Sequence, residues 1–116
     1  MKNHVLTCEI EVTLNAMGGK WKPLILYYLI ENGTKRFGEL KSYINNTSHK
    51  TLTNQLRELE KDNLISRTVF PTVPPKVEYS ITEKGMSLYP ILEAMCEWGE
   101  KNLDTNKHEL INPQCK

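Results

Sequence analysis

The sequence lacks the long apolar runs and leading segments that mark membrane and secreted proteins. Its longest apolar run, Leu24–Ile30, includes two tyrosines and is far shorter than the roughly 20 residues of a membrane-spanning helix. The first residues reach Glu9 and Glu11 without the apolar stretch of a secretory signal. We therefore expect no membrane partner and a cytoplasmic location.

Cysteine and catalytic motifs are also scarce. Three cysteines in 116 residues are an odd number, which argues against a disulfide scaffold and for a reducing compartment. The sequence contains no GxxxxGK[ST], HExxH or GxSxG motif and no CxxC pair. His4, His49 and His108 lie far apart along the chain. We predict no enzymatic activity, no metal site and no cofactor.

What the sequence does contain is one globular domain with an uneven charge distribution. It is 39% hydrophobic and 25% charged, with a net charge of +1, which is close to the globular average. Residues 20–76 carry ten bases and five acids, whereas residues 77–116 carry four bases and seven acids. The basic middle favours one face that binds a polyanion, although ordinary surface charge is the alternative.

Hydrophobic spacing and breaker residues predict the order helix, helix, strand, helix, helix, hairpin, helix. The predicted segments are helices over 7–16, 22–32, 39–44, 49–62 and 82–102, a short strand at Arg36-Phe37, and hairpin strands Leu64–Phe70 and Val77–Ile81. The fold class is α+β, mostly α. Residues 1–103 form the domain, and residues 104–116 form a polar, flexible tail.

Two short helices, a polar turn and a hairpin are typical of a winged helix-turn-helix. In the segment 49–62, Leu52, Leu56 and Leu59 form one inward stripe. The opposite face mixes cations with amide and hydroxyl groups, as base edges and phosphates require. The predicted DNA contacts are Ser48, His49, Lys50, Thr51, Thr53, Asn54 and Arg57, with Arg67 on the wing strand and Lys76 at the wing tip. A solvated helix face and a merely rigid hairpin are the alternatives.

The last helix carries more apolar surface than so small a domain can cover. Its stripe consists of Leu88, Ile91, Leu92, Met95 and Trp98. Packing inside the monomer is possible, but we predict a homodimer interface. Two reader helices in a dimer, one DNA turn apart, would read a palindrome.

Cys8 stands where the first helix begins, and a helix N-terminus favours the nucleophilic thiolate. Glu9 and Glu11 oppose this effect. Cys8 is therefore a candidate sensor of an oxidant or electrophile, or else an unreactive thiol. Cys96, between Met95 and Trp98, is expected to be a small buried hydrophobe, and Cys115 in the tail is expected to have no role.

Several sequence segments, taken together, resemble those of the HxlR-type winged helix-turn-helix regulators, a MarR-related family, over about residues 8–99. They are Cys8, Gly18–Leu26, Arg36–Leu40, Ser48–Glu60, Asn63–Ile65, Pro71–Thr82, Gly85 and Trp98. The segment Asn45–Ser48, where the family usually has Gly-Ile-Ser, and Asn63, where it usually has Gly, depart from the pattern. Trp21 and Tyr79 are interpreted as core residues.

This resemblance implies a homodimeric regulator with N- and C-terminal dimerisation helices that binds a palindromic operator. It also implies that some members sense oxidants, quinones or aldehydes through the cysteine at the Cys8 position, which is either alkylated or joined to a cysteine of the partner subunit. Here that cysteine would be Cys96 or Cys115. Our hypothesis is a DNA-binding repressor switched at Cys8. A winged-helix dimer for protein–protein contact, without specific DNA binding, is the alternative.

Overall fold

The computed structural model describes residues 5–111 and 113–115. Within them it has six helices and a three-stranded sheet: α1 Ile10–Met17, α2 Trp21–Asn32, β1 Lys35–Arg36, α3 Phe37–Tyr43, α4 His49–Lys61, β2 Ile65–Phe70, β3 Lys76–Ile81, α5 Glu83–Met86 and α6 Tyr89–Asn102. The predicted α+β, mostly helical winged fold is confirmed. None of the helices in the described part of the chain is long and apolar enough to cross a membrane.

The last predicted helix is wrong in one respect, because it is two helices. Thr82 begins α5, accepting a hydrogen bond at its hydroxyl from the Gly85 amide at 3.0 Å. Pro90 stands in the first turn of α6. Proline has no N–H to donate to the carbonyl four residues earlier, and its ring collides with that carbonyl. Helix α5 therefore ends at Met86, and the new helix α6 begins at Tyr89.

The sheet is antiparallel with strand order β1-β3-β2. Strands β2 and β3 pair from Ile65 opposite Ile81 to Phe70 opposite Lys76, and β1 places Lys35 opposite Tyr79. Asn63, between α4 and β2, has φ +60°. Asparagine tolerates this left-handed conformation better than most residues, which explains how it can stand where the family usually has Gly.

The core lies where α4 packs against α2 and the base of the hairpin. The leucine stripe of α4 is fully buried, together with Ile25, Leu26 and Leu29 of α2 and Leu64 and Ile65 of the hairpin. Lys22 of α2 is only 7% exposed, and its Nζ lies 3.0 Å from Oε1 of Glu58 on α4. One buried cation thus orients α4 relative to α2.

The two cysteines near the C-terminus behave differently from the prediction. Cys96 of α6 and Cys115 form a disulfide with Cα atoms 5.5 Å apart. Cys96 packs against the core but is only partly buried, and the prediction that Cys115 has no role is wrong. In the C-terminal segment, Leu110, Pro113 and Gln114 line a groove together with residues of α2 and α6, and the flexible tail over residues 104–116 stays a prediction. Sequence spacing cannot show that the chain turns back after α6. The domain boundary at residue 103 stays a prediction.

Gly85→Ala should destabilise the protein, because a Cβ at this position would overlap the carbonyl oxygen of Leu64 and press on the Ile81 side chain. We expect a loss of about 1–3 kcal/mol in the free energy of unfolding, the usual cost of overpacking. Urea denaturation at fixed protein concentration measures it.

Gly38→Ala in α3 is the matched control, because a Cβ there meets open space. It should leave stability unchanged or raise it by about 0.5–1 kcal/mol. Equal effects of the two substitutions would contradict the close contact at Gly85.

Candidate nucleic-acid interface

The start of α4 is set by a hydrogen-bonded serine cap. The Ser48 hydroxyl accepts a hydrogen bond from the Thr51 amide at 3.0 Å and donates to Thr51 Oγ1 at 2.9 Å. Serine is among the best residues at this position because its oxygen satisfies an amide that lacks a helical partner. Two of the predicted DNA contacts are therefore already part of the helix cap.

The exposed face of α4 carries Lys50, Asn54, Arg57 and Lys61, at the spacing of one helical stripe. It lies opposite the buried leucines, so packing the leucines inward turns these side chains outward. The face combines cationic groups and an amide, as the sequence predicted. This arrangement can reach phosphates and base edges at the same time.

Arg57 of α4 and Arg67 of β2 are brought together. With Thr53, Glu60 and Tyr79 they line a concavity of about 330 Å³ between the helix and the wing. Two guanidinium groups and one carboxylate give it a positive balance. The sequence predicted both arginines as contacts on separate elements, and the packing of α4 against β2 brings them to one concavity.

His49 lies beside α3. Its ring centroid is 4.5 Å from that of Phe37, with the planes tilted by 46°. The imidazole is exposed but restrained by this contact. The helix-turn-helix pair is therefore packed at the point where α4 begins.

The position predicted for Lys76 is wrong, because Lys76 is the first residue of β3 and does not lie at the tip of the wing loop. Its Nζ lies 3.2 Å from Oε2 of Glu78 and 4.9 Å from the ring centroid of Phe70. The tip is the exposed segment Pro71–Pro75, braced by a hydrogen bond from the Thr72 hydroxyl to the Pro74 carbonyl at 2.8 Å. The Lys76 charge is thus partly compensated.

The predicted dimer stripe divides into two groups. Leu92 is 3% exposed and Leu88 packs against the core, so both belong to the interior of the monomer. Ile91, Met95 and Trp98 are exposed, Trp98 at 70%. The side chains of Ile10, Val12 and Leu14 on α1 are exposed as well. The predicted interface residues include none of these α1 positions, although three apolar residues on one short helix are a sequence signal for an interaction surface.

A tyrosine pair anchors α6 to α2. Tyr27 and Tyr89 stack with ring centroids 6.1 Å apart, and the Tyr89 hydroxyl donates to Oε1 of Glu31 at 2.8 Å. This hydrogen bond, with burial and the Glu31 charge, raises the pKa of Tyr89 well above its ordinary value. Burial, then the Glu31 charge, raises the pKa of Tyr27. Both phenols therefore remain neutral near pH 7.

Cys8 is exposed, and of the cysteines it is the one outside a disulfide. It lies two residues before α1. The amides of Thr7 and Cys8 donate to the same carboxylate oxygen, Oε2 of Glu11, at 2.5 and 3.1 Å. The amides at this end of the helix thus already face a negative charge. Among residues 5–111 and 113–115, no three His, Cys, Asp or Glu side chains gather as a metal site would require.

Residues 16–107 match the family described as HxlR-like helix-turn-helix. The chain belongs to this family. Its members are DNA-binding transcriptional regulators and not enzymes.

The HTH-type transcriptional regulator YkvN of Bacillus subtilis is 48% identical over 112 residues, which is 93% of this chain and 94% of YkvN. The redox regulator HypR in its oxidised form superposes with a TM-score of 0.80 at 49% identity, covering 84% of this chain and 100% of HypR. The reduced form of the regulator YodB from B. subtilis superposes with a TM-score of 0.72 at 33% identity, covering 86% of this chain and 97% of YodB.

Proposed function

We propose that this family member is a homodimeric repressor that works in the cytoplasm and reads a palindromic operator. In this arrangement α4 lies in the major groove and the wing loop 71–75 lies beside the adjacent backbone. The observation that carries the proposal is the exposed face of Lys50, Asn54 and Arg57, which continues through Arg67 onto the wing.

Each side chain on this face has a chemical counterpart on DNA. Asn54 can bond in a bidentate manner to an adenine edge, and Arg57 or Lys50 can bond to guanine or phosphate. Arg67 is the next cation along the concavity that Arg57 lines, where a phosphate could be held between two guanidinium groups. The Ser48 cap and the His49–Phe37 contact hold the start of α4 in place. Pre-organised side chains lose less entropy on binding.

The exposed apolar side chains outside α4 and the wing support the proposed dimer. Trp98, Met95 and Ile91 on α6 are exposed, as are Ile10 and Leu14 on α1. Exposed apolar patches of this kind mark interaction surfaces. A two-fold axis through such a surface would present two copies of α4 to successive major grooves, about 34 Å apart.

Cys8 is proposed as the sensor. Two structural neighbours are named as redox-related proteins, HypR as a redox regulator in oxidised form and YodB in reduced form. An exposed thiol just before α1 can add to a quinone: the sulfur bonds to a ring carbon, the electron pair of the C=C bond moves onto the quinone oxygen, and the adduct takes up the thiol proton as it becomes a hydroquinone thioether. Because α1 carries part of the proposed dimer surface, a bulky adduct would shift the spacing of the two reader helices.

Arg57→Ala should weaken specific operator binding by about 1–3 kcal/mol if the guanidinium contacts a base edge. Fluorescence anisotropy with DNA from upstream of the gene, titrated at several salt concentrations, measures it. Wild-type affinity should fall steeply as salt rises, because bound cations release counterions.

Lys107→Ala, outside the reader and wing, is the control and should bind like wild type. Salt-independent binding, or equal affinity for operator and random DNA, would support the alternative of a protein-interaction dimer.

Trp98→Glu should shift the protein from dimer to monomer, because a charge would enter the apolar interface. Sedimentation equilibrium measures the change. Val69→Glu on β2, also an exposed apolar side chain, is the control and should leave the mass of the assembly unchanged. An unaltered dimer in Trp98→Glu would place the interface elsewhere.

Treatment with a quinone should abolish operator binding of wild type and leave Cys8→Ser unaffected. Both proteins are assayed side by side before and after treatment, and mass spectrometry identifies the modified residue. Loss of binding in both proteins, or in neither, would remove Cys8 from the switch and leave the DNA-binding proposal intact.

A further inference from the structure

Helix α4 carries two carboxylates, which would repel the phosphates of DNA unless cations offset their charge. They belong to Glu58 and Glu60. Glu60 lines the concavity that also contains Arg57 and Arg67, so cations of α4 and the wing offset it. The cation that pairs with Glu58 comes from outside both elements, since it is Lys22 of α2.

The two members of this ion pair differ in burial. Nζ of Lys22 lies 3.0 Å from Oε1 of Glu58, and the two side chains are 9% and 55% exposed. Among the charged residues in 5–111 and 113–115, Lys22 is the one that is buried. The other oxygen of Glu58 faces the neutral amide of Gln55 at 3.5 Å. The buried cation thus has its counter-charge in Glu58, whereas the carboxylate is half in solvent.

Glu58 lies close to any DNA that is bound by the exposed face of α4. It stands four residues after Asn54, and residues four apart are neighbours on a helix surface. One helical turn is about 5.4 Å, shorter than the roughly 8 Å over which charges act at physiological ionic strength. An uncompensated carboxylate there would repel the phosphates. It would also attract Lys61, three residues further on, away from them.

We propose that Lys22 sets the affinity for DNA without touching it, by neutralising Glu58 at the edge of α4. This inference rests on the DNA binding proposed above. With the pair intact, the cations of α4 act on the phosphates without opposition from Glu58. Without Lys22, each copy of α4 presents one uncompensated negative charge to the DNA. Lys22 is therefore a positioning residue that acts through the Glu58 carboxylate.

The difference in burial gives the two single substitutions different effects on stability. Glu58→Gln should destabilise the protein, because it leaves a buried ammonium group without a counter-charge. Lys22→Met should stay closer to wild type, because methionine suits a buried site and the half-exposed carboxylate can be hydrated. Urea denaturation without DNA measures both. The reverse order of stability would overturn this account of the pair.

Lys22→Met should bind DNA about three- to tenfold more weakly than wild type, the effect of one unit charge at this distance from the phosphates. Fluorescence anisotropy compares a duplex from upstream of the gene with a duplex of random sequence. The loss should be similar on both, because the repulsion acts on phosphates and not on bases. It should also shrink as salt rises, since salt screens exposed charges.

The double variant that combines Lys22→Met with Glu58→Gln should bind DNA like wild type, because removal of the carboxylate also removes the repulsion. A merely structural role of Lys22 leads to the opposite result, since a displaced α4 would stay displaced when the charge is gone. Failure of the double variant to recover affinity would therefore overturn the proposal.

Lys107→Met removes the same charge outside α4 and the wing, so it is the matched control and should bind DNA like wild type. Circular dichroism checks that each variant is folded. Equal affinity of wild type and folded Lys22→Met would overturn this inference and leave the DNA-binding proposal intact. Wild type that binds neither duplex would refute the DNA-binding proposal, and this inference with it.

Discussion

The packing of the α4 leucine stripe against α2 is the constraint on which the rest of the molecule depends. Leu52, Leu56 and Leu59 are fully buried, and a helix that buries one stripe must expose the opposite one. The same packing therefore creates the core and turns Lys50, Asn54 and Arg57 outward. The ion pair between Lys22 and Glu58 adds a directional contact, so the orientation of the reader helix and the stability of the domain have a common origin.

The hairpin and α6, which pack around α2 and α4, have different structural roles. The hairpin begins at buried Leu64 and Ile65 and carries Arg67 to the side of Arg57. Helix α6 is anchored to α2 by Tyr27, Tyr89 and Leu92, while its other face leaves Trp98 exposed. The surface proposed for the second subunit is thus rigidly connected to the reader.

Much of the fold and part of the site were predictable from local patterns. The stripe of α4, the capping serine and the left-handed Asn63 depend on neighbours within a few residues, and such patterns are readable in a sequence. The break between α5 and α6 also has a local cause in the sequence, which is Pro90. It was missed because the apolar periodicity runs through it. Lys76 was misplaced by one strand position, since hairpin register depends on pairing and not on loop composition.

The sequence by itself determined the winged helix-turn-helix order and the exposed basic side chains on α4, because these follow from periodicity and turn chemistry. The tertiary structure alone decided that Leu92 lies in the monomer core whereas Trp98 does not, because burial depends on which elements meet. It also decided that Cys96 pairs with Cys115 across a separation of 19 residues. That bond depends on the distance between the two residues in space and not on their spacing along the chain.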